Sequence, residues 1–279
     1  MNKGGWFGFR FRIHLLFWVV IGLSVAAGRF LEVCTLFVIV LIHEFGHVAM
    51  AKELGWKVTE VQLLPFGGVA TMEDSYATDP LDEIVIALAG PFMNVVMMGL
   101  SYVFWLGGIW TEEWARFFLM SNAAIAGFNL LPIWPLDGGR ILLGLLCYLL
   151  PYRQAALLSL LGSTLFAGTM LGLSFFDFKI NLLVISSYLL AINIQAFLRF
   201  PYQFFRFLME KYVRQPVEYN VQAIQIRPDE TVLQASQKLR RGASHLIYVQ
   251  GTGLLAEDQL LRALLFEQKH DTAVRELVL

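Results

Sequence analysis

Apolar positions in this chain fall into long, nearly uncharged runs rather than the short periodic patterns of a water-soluble core. The runs are Ile13 to Ala27, Leu31 to Ala51, Ile84 to Gly107, Phe117 to Leu150, Ala155 to Phe175 and Ile180 to Phe197. Such lengths signal membrane spans. The fourth run exceeds one simple span of about 20 residues. Pro132, Pro135, Asp137, Gly138 and Gly139 interrupt it. A polar segment from Lys52 to Glu83 separates the second and third runs.

Charge placement decides how the broken run is counted. Counted once, Lys3, Arg10, Arg12, Lys52, Lys57, Arg153, Arg199, Arg206 and Lys211 share one side, and only Arg29, Arg116 and Lys179 lie opposite. The positive-inside rule then puts both termini in the cytoplasm. Counted twice, Arg199, Arg206 and Lys211 move outside, against the rule. The pattern therefore predicts an α-helical polytopic membrane protein of six spans. Its fourth span is broken, with irregular backbone buried in protein or facing a wet cavity. Lys3, Arg10 and Arg12 ahead of the first run, with Ser24-Val25-Ala26 near its end, also have the shape of a signal peptide. The spans that follow at once favour an uncleaved first span.

Three regions follow: a membrane domain over 1–198, a basic and aromatic juxtamembrane linker over 199–216, and a small cytoplasmic α/β module over 217–279. In the module, Ala223 to Ile226 and His245 to Val249 read as strands, Gly251-Thr252-Gly253 as a turn, and Leu260 to Phe266 as a helix. A further helix after Pro228-Asp229 carries Val232, Leu233, Ala235, Ser236 and Leu239.

Composition supports the membrane reading: 57% of the 279 residues are hydrophobic and 15% charged, against about 25% charged in soluble domains. The net charge of -1 argues against a nucleic-acid binder, which needs a basic footprint. Cys34 and Cys147 both lie in apolar runs, which argues against a disulfide framework and for two small buried thiols.

The chemistry begins with His43-Glu44-Phe45-Gly46-His47 in the second run. Helical positions i and i+4 share a face, so both imidazoles point the same way. Two neutral imidazoles suit zinc, and the adjoining glutamate suits a general base. Ionisable groups inside a membrane cost about 2.5 kcal/mol or more and are usually paired and functional. The alternative is a polar helix face with two satisfied histidines. Catalytic zinc takes three protein ligands and keeps one position open. Asp137, in the broken run, is the third candidate, and it also reads as a cap for a helix beginning near Ile141. The predicted metal is one Zn2+ per chain on His43, His47 and Asp137. Glu44 would take the proton of an attacking water and deliver it to the leaving amine. Asn129 is a candidate donor to the oxyanion or the substrate backbone, or a polar cap at the break. His47 precedes Lys52 by about 8 Å of helix and His43 by about 14 Å. The site is thus expected below the cytoplasmic surface but short of the midplane.

These residues resemble the site-two-protease family of intramembrane metalloproteases. The matching stretches are His43 to His47, Leu63-Leu64-Pro65-Phe66-Gly67-Gly68, Ala89-Gly90-Pro91-Phe92-Met93-Asn94 and Asn129 to Arg140. They run from about Ile13 to Pro151 in the family's order. No PDZ-like insertion separates the two zinc motifs, and His14-Leu15 stands where many members have His-Pro. The greater resemblance is to the sporulation members of the family. It implies cleavage of membrane-associated pro-sigma-K, control by membrane inhibitor proteins, and residence in the mother-cell membrane around the forespore of a bacterium. In the family, the Phe66, Gly67 and Gly68 region lies beside the cleft, where an unwound substrate could pair as an added strand. The C-terminal module resembles a single CBS motif through Ile226 to Val232 and Leu260 to Leu264. CBS motifs commonly pair and bind adenine nucleotides, which implies a homo-oligomer and an ATP site. Gln259, however, stands where many have a ribose-binding aspartate, and docking of the substrate's soluble part is the alternative. The competing readings are a site-two protease acting on an anti-sigma factor, a metal transporter, and a scaffold holding zinc for stability.

Overall fold

The computed structural model describes residues 10–13, 22, 24–56, 58–64, 67–72, 79–177, 180–213 and 220–278. Most of the first expected span lies outside them. Among the described residues, four helices are long and apolar enough to cross a membrane: α1 (Phe30–Glu53), α2 (Pro80–Leu106), α5 (Tyr152–Asp177) and α6 (Ile180–Val213).

The chain divides into two compact units. One comprises Met1–Asp74, Asp82–Leu131 and Leu136–Gly138; the other comprises Ser75–Leu81, Pro132–Pro135 and Gly139–Leu279.

In the first unit, α1 carries Glu32 in its first turn and Lys52 in its last, both favourable to the helix dipole. It ends because Gly55 takes φ +77° while Trp56 N–H donates to the Ala51 carbonyl at 2.8 Å; glycine adopts that conformation without Cβ strain. One face of α1 is buried, with Ile39, His43, Gly46, His47 and Ala51 at helical spacing. Gly46 sits where α2 passes: a Cβ there would lie 2.6 Å from the Ala89 carbonyl, so a small residue permits the close approach. The expected polar segment folds into an antiparallel hairpin of β2 (Val58–Leu64) and β3 (Gly67–Met72), and β1 (Arg10–Ile13) joins β2 in parallel. Val48, Ala51, Val58 and Ile86 form a small core that holds the end of α1 to the start of β2 and to α2.

The long fourth run is broken in the structure. Helix α3 (Glu112–Asn129) starts with Thr111 accepting from Trp114 N–H at 3.4 Å. Helix α4 (Asp137–Leu149) follows after a non-helical segment. It begins at Asp137 rather than near Ile141. Gly138 and Gly139 allow this: a Cβ on Gly139 would fall 2.7 Å from the Ile133 carbonyl, and one on Gly138 would overlap the Leu130 and Leu131 backbone.

In the second unit, α6 runs without interruption to Val213, through the stretch read from the sequence as a linker. The polar residues there lower the hydropathy, but Phe200, Phe204, Phe207 and Leu208 keep a buried helical stripe. Its 34 residues span about 51 Å, well beyond a hydrocarbon core of about 30 Å. The protruding end packs on a three-stranded sheet in the order β4 (Val221–Ile226), β5 (Ser244–Val249), β6 (Gly253–Ala256). β4 and β5 are parallel, β5 and β6 antiparallel. The sequence reading placed only a turn before the last helix and missed β6. Helices α7 (Val232–Ser236) and α8 (Glu257–Leu265) cover the sheet's buried face. A Thr231–Gln234 capping box starts α7, satisfying two otherwise unpaired N–H groups. One apolar core joins Tyr152, Phe204 and Phe207 to Ile226, Ile247, Leu255 and Leu261. Tyr152 and Phe207 stack with centroids 4.3 Å apart.

Candidate metal centre

Helix α1 presents His43 and His47 one turn apart, 2% and 7% exposed. Their Nε2 atoms are 3.2 Å apart, and Oδ2 of Asp137, the first residue of α4, lies 3.3 Å from the first and 3.4 Å from the second. In the sequence Asp137 stands 90 or more positions from the two histidines; the fold brings all three into one triangle.

Each ring is held from behind. His47 Nδ1 lies 2.7 Å from the Ile86 carbonyl on α2, and His43 Nδ1 lies 2.5 Å from Oδ1 of Asn94 on the same helix. A carbonyl only accepts, so His47 carries a proton on Nδ1, and the neutral ring turns a bare Nε2 toward Asp137. Oδ2 of Asp137 is buried and has no hydrogen-bond donor among the described residues; with neutral rings, its short approaches to them are contacts between acceptors. Three electron-rich atoms facing one another repel unless a cation lies among them. Tetrahedral ligands about 2.0–2.1 Å from zinc stand about 3.3–3.4 Å from each other. The observed triangle fits that spacing, and the nitrogen and oxygen donor set suits zinc.

The remaining sequence candidates sort unevenly. Asn129, half-buried at the end of α3, has its Nδ2 3.5 Å from His43 Nε2 and donates to the Ile125 carbonyl at 3.1 Å. Glu44 is half-buried on α1 beside His43. Gly67 and Gly68 open β3, opposite Leu64 and Leu63 of β2, and Phe66 lies outside the described residues. Gln259, at the position of interest for nucleotide, accepts from Ala256 N–H at 3.3 Å and caps α8.

Sequence reasoning assigned no role to Gly90, Asn94 or Asn122. A Cβ on Gly90 would overlap the His47 ring and come within 2.8 Å of His43 Cε1. Asn94 Nδ2 donates to Asn122 Oδ1 at 3.0 Å, and Asn122 Nδ2 donates to the Phe118 carbonyl at 2.8 Å. Both asparagines are 0% exposed. Uncharged amides buried among apolar spans were the available signal.

Residues 32–112 match peptidase family M50. A site-2 protease from Methanocaldococcus jannaschii matches 70% of this chain with 94% of its own, at TM-score 0.53 and 27% identity. The chain is thus similar to site-two-protease-like intramembrane zinc metalloproteases. Among particular relatives, it is similar to Stage IV sporulation protein FB of Bacillus subtilis. The two are 29% identical over 290 aligned positions, covering 100% of this chain and 99% of that one. A zinc metalloprotease of Methanocaldococcus jannaschii is 36% identical over 137 residues, which cover 46% of this chain and 39% of the relative.

Proposed function

We propose that the chain is an intramembrane zinc endopeptidase that converts membrane-associated pro-sigma-K to its active form. The observation that carries this is the triangle of His43 Nε2, His47 Nε2 and Asp137 Oδ2, with edges of 3.2, 3.3 and 3.4 Å. His43, His47 and Asp137 hold the ion. Bound zinc supplies Lewis-acid activation of water and of the scissile carbonyl. Glu44, adjoining His43, takes the proton of the attacking water and returns it to the leaving amine. Asn129, whose amide reaches the edge of the triangle, donates to the carbonyl oxygen as charge develops there. Phe66, Gly67 and Gly68 hold the substrate strand extended at the hairpin.

In a six-span layout, with α3 and α4 as the two halves of the broken fourth span, this site would lie toward the cytoplasm. The end-to-end similarity to a sporulation protein supports the pro-sigma-K reading. The order β4-α7-β5-β6-α8 supports a single CBS-like motif at the C-terminus.

Coexpression with a sigma-K precursor tests the whole reading. Glu44→Gln should retain stoichiometric zinc and lose processing by 100-fold or more, on the order of a general-base contribution. Processing that survives the substitution would refute the mechanism, and wild type that cuts an anti-sigma factor but not the precursor would redirect the substrate.

A further inference from the structure

The hydrogen bonds behind His43 run in one direction, and that direction is set at the far end. The Phe118 carbonyl on α3 can only accept, so the group of Asn122 facing it at 2.8 Å is the amide nitrogen. Asn122 therefore turns its oxygen to Asn94, 3.0 Å away. Asn94 must answer with its own nitrogen and is left with an oxygen toward His43 Nδ1. An amide oxygen accepts only, so Nδ1 must carry a ring proton, and in the neutral ring that ligates a metal Nε2 is bare. Each amide in the series can serve its two neighbours in one orientation alone. Flipping either would set donor against donor or acceptor against acceptor, in a site that holds both asparagines at 0% exposure.

We propose that Asn94 and Asn122 are positioning residues that fix the tautomer and ring orientation of His43, transmitting the polarity of an α3 backbone carbonyl to the metal-facing nitrogen. His47 achieves the same state directly, through the Ile86 carbonyl at 2.7 Å. The difference has a structural cause. His47 lies one turn nearer the end of α1 and meets the α2 backbone, whereas His43 meets an α2 side chain, which is free to rotate unless something beyond it sets its sense. Asn122 supplies that. The inference rests on the metal-site reading and makes α3 a partner in the site as well as α1 and α2.

The test uses the full-length chain in detergent. Zinc affinity is measured by chelator competition, and the tautomer of His43 by 15N shifts of labelled histidine in the metal-free protein. Wild type should bind one zinc and show His43 protonated at Nδ1. Asn94→Leu should weaken zinc by about 10- to 100-fold, as loss of an outer hydrogen bond to a metal-bound histidine does, and shift His43 toward Nε2 protonation. Asn94→Asp keeps an acceptor for the His43 proton but sets its second oxygen against Asn122 Oδ1, so it should retain the Nδ1-protonated tautomer while recovering only part of the affinity. Asn122→Leu leaves Asn94 in place without its orienting acceptor and should give a mixed tautomer; this variant carries the test should Asn94→Leu not fold. Wild-type zinc affinity and an unchanged tautomer in Asn122→Leu or in folded Asn94→Leu would overturn the relay and leave the metal site standing. A wild-type chain that takes up no zinc would overturn both.

Discussion

Gly90 has no side chain because the metal site leaves no space for one. A Cβ there would overlap the His47 imidazole, and that ring cannot swing away without giving up the bond from Nδ1 to the Ile86 carbonyl. Gly90→Val is therefore expected to lower zinc affinity by at least about tenfold, the scale of a displaced ligand's outer support. Metal content after dialysis against a graded chelator checks this, with Gly99→Val on the same helix as a control, since nothing lies within 4 Å of a Cβ at that position. At this scale, the sequence disclosed what lies within one element. His43 and His47 are four apart on one helix, so their shared face follows from helical geometry alone. The clearance at Gly90 and the amide series through Asn94 depend on where α2 and α3 cross α1, which no spacing within a single helix encodes.

The break between α3 and α4 is the element that places Asp137, and it has its own satisfaction problem. Backbone groups freed from a helix within a membrane need partners. Trp134 finds both in the second unit: its N–H donates to Ser163 Oγ on α5 at 2.5 Å, and its carbonyl accepts from Asn193 Nδ2 on α6 at 2.7 Å. Ser163 and Asn193 are 1% and 0% exposed. Asn193→Leu leaves the part-buried Trp134 carbonyl without this donor, a cost of up to about 1–3 kcal/mol. Thermal unfolding in detergent should show a lower midpoint for this variant, while Ser187→Ala, exposed on the same helix, should leave it unchanged. The position of the break was legible, because Pro132 and Pro135 cannot continue a helix comfortably. Its partners were not, because a lone serine or asparagine in an apolar run reads the same whether it faces a neighbouring helix or its own carbonyl. The extension of α6 to Val213 was missed for a related reason: hydropathy averages over faces, and the buried stripe of Phe200, Phe204 and Phe207 occupies only one of them.

In the second unit as a whole, the C-terminal module is joined to the end of α6 by a buried polar contact set into the apolar core. Lys211 Nζ reaches Oε1 of Glu257 at 2.6 Å and the Ala243 carbonyl at 2.7 Å. Glu257 Oε2 accepts from His245 N–H at 2.7 Å and meets His245 Nδ1 at 2.8 Å. Burial raises the Glu257 carboxyl, but the His245 hydrogen bond and the Lys211 charge outweigh it and hold the group below its usual value. A carboxyl lowered on folding contributes stability above its unfolded pKa and loses it as pH falls through the folded one. The unfolding midpoint of wild type should therefore drop below about pH 4.3. Lys211→Met removes one partner of a buried pair, at a cost of about 3–5 kcal/mol, and should unfold at lower temperature at neutral pH. Glu257→Gln should flatten the acid limb. An unchanged acid limb in Glu257→Gln would assign the pH dependence elsewhere.

The sequence by itself determined the membrane class, the broken fourth run, the histidine pair with its glutamate, and the α/β character of the C-terminal module. Each follows from local chain physics: hydropathy over a span, helical periodicity, the conformational limits of proline and glycine, and alternation in short strands. Tertiary structure supplied the distances that close the expected triangle of His43, His47 and Asp137, and it alone decided that Gly90 must be bare, that Asn94 and Asn122 stand behind one histidine, and that α6 carries the module on its protruding end. These depend on where helices cross and which faces they turn to each other. That is fixed by packing summed over many residues, and no local stretch of sequence contains it.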